Sequence, residues 1–422
     1  MRTQNYLPPW MPWSIVLAVA VAHGFTSGYL KDKGKKEIEF NSAPSVATQS
    51  EAVTAEDYYN RGVDFLDEGK YDRALKDYEK AIALDSEYYH AWWAKGYALA
   101  KLDRYDEAVT AYERAIEIDP NDSELWFSKA YTHHDYGQYN LAVESYDRVI
   151  ALMPQNTDAL YNRGLTLSKL EKYTEALADY ERAIEIDPND GDFWYSRSKA
   201  LVMLEQYSEA VVSFQEAIAL NPQNADAWHK QGIVLAELNK YAAAIKSYRK
   251  ATKLDPDNIS AWQDMGETLY KQKKYQEAIA AFNRVARTKK DDIDLWIYRG
   301  DAFYYAKQYD RAIADYDRAI EINAESSSVW VYRGTALSRL KKDIEALQSY
   351  DRAIEINANS AFAWFSRGLT LANLERYDEA IDSYNKGLAI EPDNSQAKRL
   401  RERILMFKQE GDVSFVSMNY YL

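Results

Sequence analysis

The side chains of this 422-residue chain that could take part in chemistry are mostly carboxylates: 66 Asp and Glu stand beside 52 Lys and Arg, five His and no Cys. Paired carboxylates serve general acid–base hydrolysis, and His grouped with carboxylates holds metal ions. Neither arrangement is spelled out. The histidines are His23, His90, His133, His134 and His229, with no HExxH or similar metal spacing. His133 and His134 are adjacent, so a helix would point them in different directions. Lack of cysteine removes thiolate nucleophiles, disulfides and Cys-containing zinc sites. No Gly-rich phosphate loop and no GxSxG elbow occurs. In so acidic a chain, carboxylates meet by chance, and a hydrolytic pair would still need a closed pocket. The expectation is a protein without catalytic residues, metal or cofactor.

The formal net charge is -14 and the pI near 5.0, so the long-range field repels polyanions and favours basic or neutral ligands. Nucleic acid is not an expected partner.

What would position any binding residues is a repeat. Small residues recur every 34 positions, at Gly62, Gly96, Ala130, Gly164, Ser198, Gly232, Gly266, Gly300, Gly334 and Gly368. Alanine recurs in step at Ala74, Ala108, Ala142 and onward to Ala380. Four residues before each small position stands Tyr58, Trp92, Trp126, Leu160, Trp194, Trp228, Trp262, Trp296, Trp330 or Trp364. Four residues after each alanine stands Tyr78, Tyr112, Tyr146, Tyr180, Phe214, Tyr248, Phe282, Tyr316, Tyr350 or Tyr384. Trp92 and Gly96 share a face of one helix, and Ala108 and Tyr112 a face of a second. Small side chains at Gly96 and Ala108 let the two helices approach closely. Ala108→Leu should overpack that contact at a cost of about 1 to 3 kcal/mol.

A tyrosine such as Tyr105 opens each second helix, replaced once by Asp343. Turns such as Asp119-Pro120-Asn121-Asp122 stop one hairpin and cap the next. Boundaries lacking that proline, at Ser86, Lys290, Ala324 and Ala358, read as weaker, and Thr288–Asp292 reads as the softest joint.

The flanks differ. Trp13 to Ala22 is an apolar run ending in Ala20-Val21-Ala22, the small-x-small pattern of a signal-peptidase site. Residues 1–25 thus read as a signal peptide or, with Leu7 to Phe25 included, as an N-terminal membrane anchor, and the protein as exported or membrane-anchored, in preference to a cytoplasmic protein with an apolar tail. Residues 26–54 read as a flexible linker, 55–394 as the repeat array, 395–408 as a more polar capping helix and 409–422 as a tail.

The array resembles the tetratricopeptide repeat family. The pattern is carried clearly by Trp92, Gly96, Ala108, Tyr112, Ala115 and Pro120, and again by Trp228, Gly232, Ala244, Tyr248, Ala251 and Pro256. The resemblance implies an all-α fold, a right-handed α-solenoid superhelix of ten helical hairpins, whose first helices line a concave groove. The groove positions it implies are Tyr59, Trp93, Phe127, Tyr161, Tyr195 and His229, widened by Tyr97 and Tyr131, with Tyr304, Tyr305, Phe362 and Phe365 as a sparser second group. Acids at the start of the same helices include Glu124, Asp158, Asp192 and Asp226. The aromatics either pack on the neighbouring hairpin or grip a guest; the acids either answer the helix dipole or face a cation. Basic residues before the small positions, such as Arg197 and Arg333, read as stems covering a helix junction with their charge paired to Glu181 or Asp317.

These readings point to a scaffold or adaptor that binds basic or apolar peptide segments. The alternative is an exported or membrane-attached organiser of a larger complex without a peptide ligand. An acidic peptide tail would be a poor ligand, since Tyr59, Val63, Trp93 and Tyr97 stand where tail-gripping relatives place Lys and Asn.

Overall fold

The computed structural model describes residues 53–410, with side chains to Lys408. The expected signal or anchor, most of the linker and the tail lie outside the described residues. Thr54, at the linker's end, already caps the first helix: its hydroxyl accepts from Asp57 N–H at 3.1 Å while the Asp57 carboxylate accepts from Thr54 N–H at 2.8 Å.

The described residues are all-α, an α-solenoid of stacked helical hairpins with no strand. Two compact units are formed, one ending at Ala227 and the other beginning at Trp228. In the first unit, the first helices are Ala55–Asp67, Tyr89–Lys101, Ser123–Asp135, Thr157–Lys169 and Gly191–Met203. Their partners are Tyr71–Leu84, Tyr105–Ile118, Tyr139–Leu152, Tyr173–Ile186 and Tyr207–Leu220. The second unit repeats the plan with first helices that include Ile259–Lys271, Ile293–Tyr305, Ser327–Arg339 and Ala361–Asn373, and ends in Ser395–Glu410. That last helix buries Ala397 and Ile404 beside Leu388 of Tyr377–Ile390.

Each hairpin is closed by a ring. A Cβ added at Gly96 would lie 2.7 Å from the Tyr112 ring, and one at Gly266 2.7 Å from Phe282. The nearest partner of each repeat glycine is thus the second-helix aromatic rather than the alanine that the spacing suggests. Ala108 is nonetheless fully buried, as are its equivalents.

Between the helices the chain turns through a left-handed residue. Gly69 and Gly137 supply two of these, but Asp103, Glu171, Glu205, Asn239, Lys273, Lys307, Lys341 and Glu375 hold φ between 57° and 62°. The turn then closes by a backbone bond from Arg104 N–H to Leu99 O at 3.0 Å, and likewise at its equivalents. The expected tyrosines open the second helices, with Asp343 in the same place once.

Between hairpins, the first-helix tryptophan holds the turn. Trp126 Nε1 donates to Pro120 O at 3.0 Å, Trp194 to Pro188 O at 2.9 Å and Trp262 to Pro256 O at 3.0 Å. The same bond reaches Ser86, Lys290, Ala324 and Ala358 at 2.9–3.0 Å, so the turns without proline keep the indole clamp. The Thr288 region is irregular as expected: Tyr275–Val285 has 11 residues where other second helices have 14.

Candidate functional site

The positions implied for binding lie on the first helices, and in the first unit successive first helices touch. In the first unit, Trp93 is half-buried and its Nε1 donates to Ser128 Oγ on the next first helix at 2.9 Å. The Tyr161 hydroxyl accepts from Ser196 Oγ at 3.4 Å, and the Tyr195 hydroxyl donates to Asp226. Three of the first-helix rings also rest on their hairpin's buried second-helix aromatic. Phe127 meets Tyr146 edge-on at 5.6 Å, Tyr161 lies 6.1 Å from Tyr180, and Tyr195 meets Phe214 at 6.1 Å. Trp93, Phe127, Tyr161 and Tyr195 all keep part of their surface exposed.

Tyr59 is different, with 8% exposure between Tyr78 and Tyr88, and burial pushes its phenol up to about 12. Tyr97 and Tyr131 remain half-exposed. Lys101 Nζ stands 5.0 Å over the Tyr97 ring, and burial raises Tyr131 to about 12. Of the four acids, Glu124, Asp158 and Asp226 are exposed and Asp192 is half-buried, each in the first turn of its helix.

In the second unit, His229 is 5% exposed and its Nε2 bonds Asp264 Oδ2 at 2.7 Å. The other histidine pair is also buried and points two ways: His133 Nδ1 meets Gln138 Oε1 at 2.7 Å, and His134 Nδ1 meets Thr166 Oγ1 at 2.8 Å.

The basic residues before the small positions are paired across helices. Arg197 reaches Glu181 at 2.8 Å and Arg333 reaches Asp317 at 2.6 Å, the partners expected from sequence. Arg61, Arg163 and Arg299 clamp the buried carboxylates of Asp77, Asp179 and Asp315 with two bonds each. Arg299 also lies 4.7 Å over the Trp296 ring.

Sequence reasoning missed a second group of first-helix residues. Glu267 and Asp301 occupy the residue after the repeat glycine, where Val63, Leu165, Ile233 and Leu369 stand in other hairpins. Elsewhere the position carries Tyr97, Tyr131, Lys199 or Thr335, so two carboxylates in consecutive hairpins, and at no other hairpin, are the signal that could have found them. Glu267 is 5% exposed, and burial pushes its carboxyl up to about 8, with Asp264 adding to the effect. Burial also raises Asp301 to about 6, against hydrogen bonds from Tyr316 at 2.7 Å and Tyr270 at 3.5 Å. The Tyr270 ring lies 6.0 Å from Tyr298 and 6.1 Å from Tyr305. Among the described residues no helix is long and apolar enough to cross a membrane.

Four models described as tetratricopeptide or TPR repeats match the chain. The first covers residues 59–123, 263–328 and 297–361, and a second 157–190 and 361–394. The others cover 131–171, 199–238 and 232–273, and 111–144 and 179–212, so the matches run unbroken from 59 to 394. No curated protein matches the chain. Among solved structures, YrrB, a TPR protein with an unusual peptide-binding site, is 25% identical over 45% of this chain and 97% of its own, with a TM-score of 0.41. The C-terminal part of a TPR protein from Cytophaga hutchinsonii is 18% identical over 57% of this chain and 98% of its own, with a TM-score of 0.48. Yeast Tom70 is 17% identical over 84% of this chain and 96% of its own, with a TM-score of 0.36.

Proposed function

The chain belongs to the tetratricopeptide repeat family, whose members serve as protein-interaction scaffolds, and from that premise we propose that its first-helix face holds an extended peptide segment. The observation that carries the reading is the division of labour between aromatics in the first unit. The hairpin interiors are filled by Tyr112, Tyr146, Tyr180 and Phe214, each about 1% exposed. Trp93, Phe127, Tyr161 and Tyr195 lie on top of that core and keep exposed surface. Trp93, Tyr161 and Tyr195 are held at their polar ends by neighbouring helices, so a guest meets rings already fixed in place. Two or three such anchors, at about 2 kcal/mol each, suffice for micromolar binding after ordering costs.

Glu124, Asp158, Asp192 and Asp226, with the charge of -14, favour basic or apolar guests over acidic ones. The chain acts in this reading by holding partners together and not by catalysis.

The test uses a peptide selected from a random display library against the whole chain. Replacing Trp93, Tyr161 and Tyr195 together by alanine should weaken its binding by about a hundredfold or more while circular dichroism stays helical. Unchanged affinity in the folded triple variant would refute the reading.

The apolar run Trp13 to Ala22 supports a further part of the proposal, that the chain is sent to or across a membrane. Mass spectrometry of the mature protein should then find either an amino terminus at His23 or an intact Met1 in the membrane fraction, whereas an intact Met1 in a soluble fraction contradicts both.

A further inference from the structure

In the second unit, the first helices Ile259–Lys271 and Ile293–Tyr305 bring together carboxylates that the frame does not need. Elsewhere the buried carboxylates of the repeat are neutralised: Asp77, Asp179 and Asp315 each receive an arginine. Glu267 is as deeply buried, at 5% exposure, yet its described hydrogen bond comes from the uncharged Gln263 amide at 3.2 Å. Among the described residues, no Lys, Arg or His forms an ion pair with Glu267, Asp294 or Asp301. An ionised carboxylate withdrawn from water is destabilising by several kcal/mol, and Lys271, four residues on along the same helix, offsets only part of that for Glu267. A guest that supplies the positive charge would remove that cost.

The surroundings say what kind of cation fits. Glu267, Asp294 and Asp301 all lie within electrostatic reach of the Tyr298 phenol. Tyr270 stands beside it and Tyr305 beside Tyr270, and Tyr305 is 53% exposed, so the tyrosine wall opens to solvent. Tyrosine faces and carboxylates together suit a guanidinium, which is planar, weakly hydrated, and able both to stack on rings and to donate to several oxygens. The chain itself supplies a precedent one hairpin on, where Arg339 Nε donates to the Tyr304 hydroxyl at 3.1 Å.

We propose that the tyrosine-walled acidic patch of Glu267, Asp294, Tyr298 and Asp301 binds the guanidinium of an arginine side chain presented by a partner protein. The proposal rests on the reading that first-helix faces bind protein segments, but it assigns a separate site and one side chain to it. The guanidinium lies over Tyr298, answers Asp294 and Asp301 directly, and favours the ionised form of Glu267 beneath. Lys289 reaches this network only indirectly, through its 2.9 Å bond to the Gln263 carbonyl.

The probe is N-acetyl-arginine amide, titrated into the whole chain carrying 13C-labelled side-chain carboxyls. The proposal predicts saturable shifts of the Glu267 and Asp301 carbons, absent with the uncharged N-acetyl-norleucine amide. Glu267→Gln with Asp301→Asn should weaken binding by about tenfold or more. Tyr298→Ala alone should weaken it by several-fold with both carboxylates in place. The first-unit variant lacking Trp93, Tyr161 and Tyr195 should bind the probe as the parent does, which separates this site from the peptide face proposed above. Absence of saturable shifts at those two carbons, equal shifts with the norleucine probe, or loss of binding in the first-unit variant would each overturn the proposal. N-acetyl-lysine amide binding as tightly would overturn the assignment to a guanidinium.

Discussion

The two units are built on one frame and differ in what they put on it. In both, a second-helix aromatic presses on the repeat glycine, a tryptophan holds the turn before it, and an arginine or lysine ties neighbouring helices. On the first-helix face, the first unit shows partly exposed rings such as Trp93 and Tyr195, whereas the second buries Glu267 and encloses Asp301 among tyrosines. The frame is therefore one set of interactions and the face another. Substitutions in the frame should act alike in both units, and those on the face should not.

The largest effect belongs to the frame. Tyr180→Ala in the first unit and Tyr384→Ala in the second each empty a buried ring site and should cost about 3 to 5 kcal/mol, measured by urea unfolding. Markedly unequal losses would break the idea of one shared frame.

Glu267→Gln comes next, and it should stabilise. The folded chain holds the Glu267 proton up to about pH 8, whereas the ordinary carboxyl releases it near 4.5. The folded state therefore binds the extra proton between those values. Stability from this group falls as pH rises through that window and is lowest above it. The amide should add about 2 to 4 kcal/mol above pH 8 and flatten the pH dependence. Thermal melts of both proteins from pH 5 to 9 check this, and parallel curves would contradict it.

The hydroxyls of equivalent tyrosines sharpen the contrast with opposite signs. Tyr316 donates to Asp301 at 2.7 Å, so Tyr316→Phe should destabilise by about 1 to 3 kcal/mol. The Tyr78 hydroxyl is buried without a partner, so Tyr78→Phe should be neutral or stabilising by about 1 kcal/mol. Chemical denaturation of the two variants decides the point.

Smallest is the turn. Lys273 holds φ at 60°, where glycine is unstrained, so Lys273→Gly should raise stability by about 0.5 to 1 kcal/mol despite its greater unfolded-state entropy. A lower melting temperature would contradict this.

The frame was legible because its constraints recur. A ring that must fit against Gly62, Gly96 and Gly164 at one interval leaves a spacing that no other arrangement explains. The pairing of Arg197 with Glu181 was legible for the same reason: both residues keep step with the repeat. The tryptophan clamp was not, since its acceptor is a backbone carbonyl, which every residue type carries. His229 was expected among the groove residues, and the structure places it in a buried pair with Asp264, 35 positions away on the following first helix. Glu267 and Asp301 were passed over because abundant carboxylates make two more look like solvated surface. Their neighbours Tyr270 and Tyr298 follow no repeat pattern.

The central claim, that second helices form the frame and first helices take the guest, is tested most directly by where a bound peptide touches the chain. A display-selected peptide carrying a photoreactive benzoylphenylalanine can be cross-linked to the whole protein and the adducts located by mass spectrometry. The account predicts adducts within Tyr89–Lys101, Thr157–Lys169 and Gly191–Met203. Adducts concentrated on Tyr105–Ile118, Tyr173–Ile186 and Tyr207–Leu220 would contradict it.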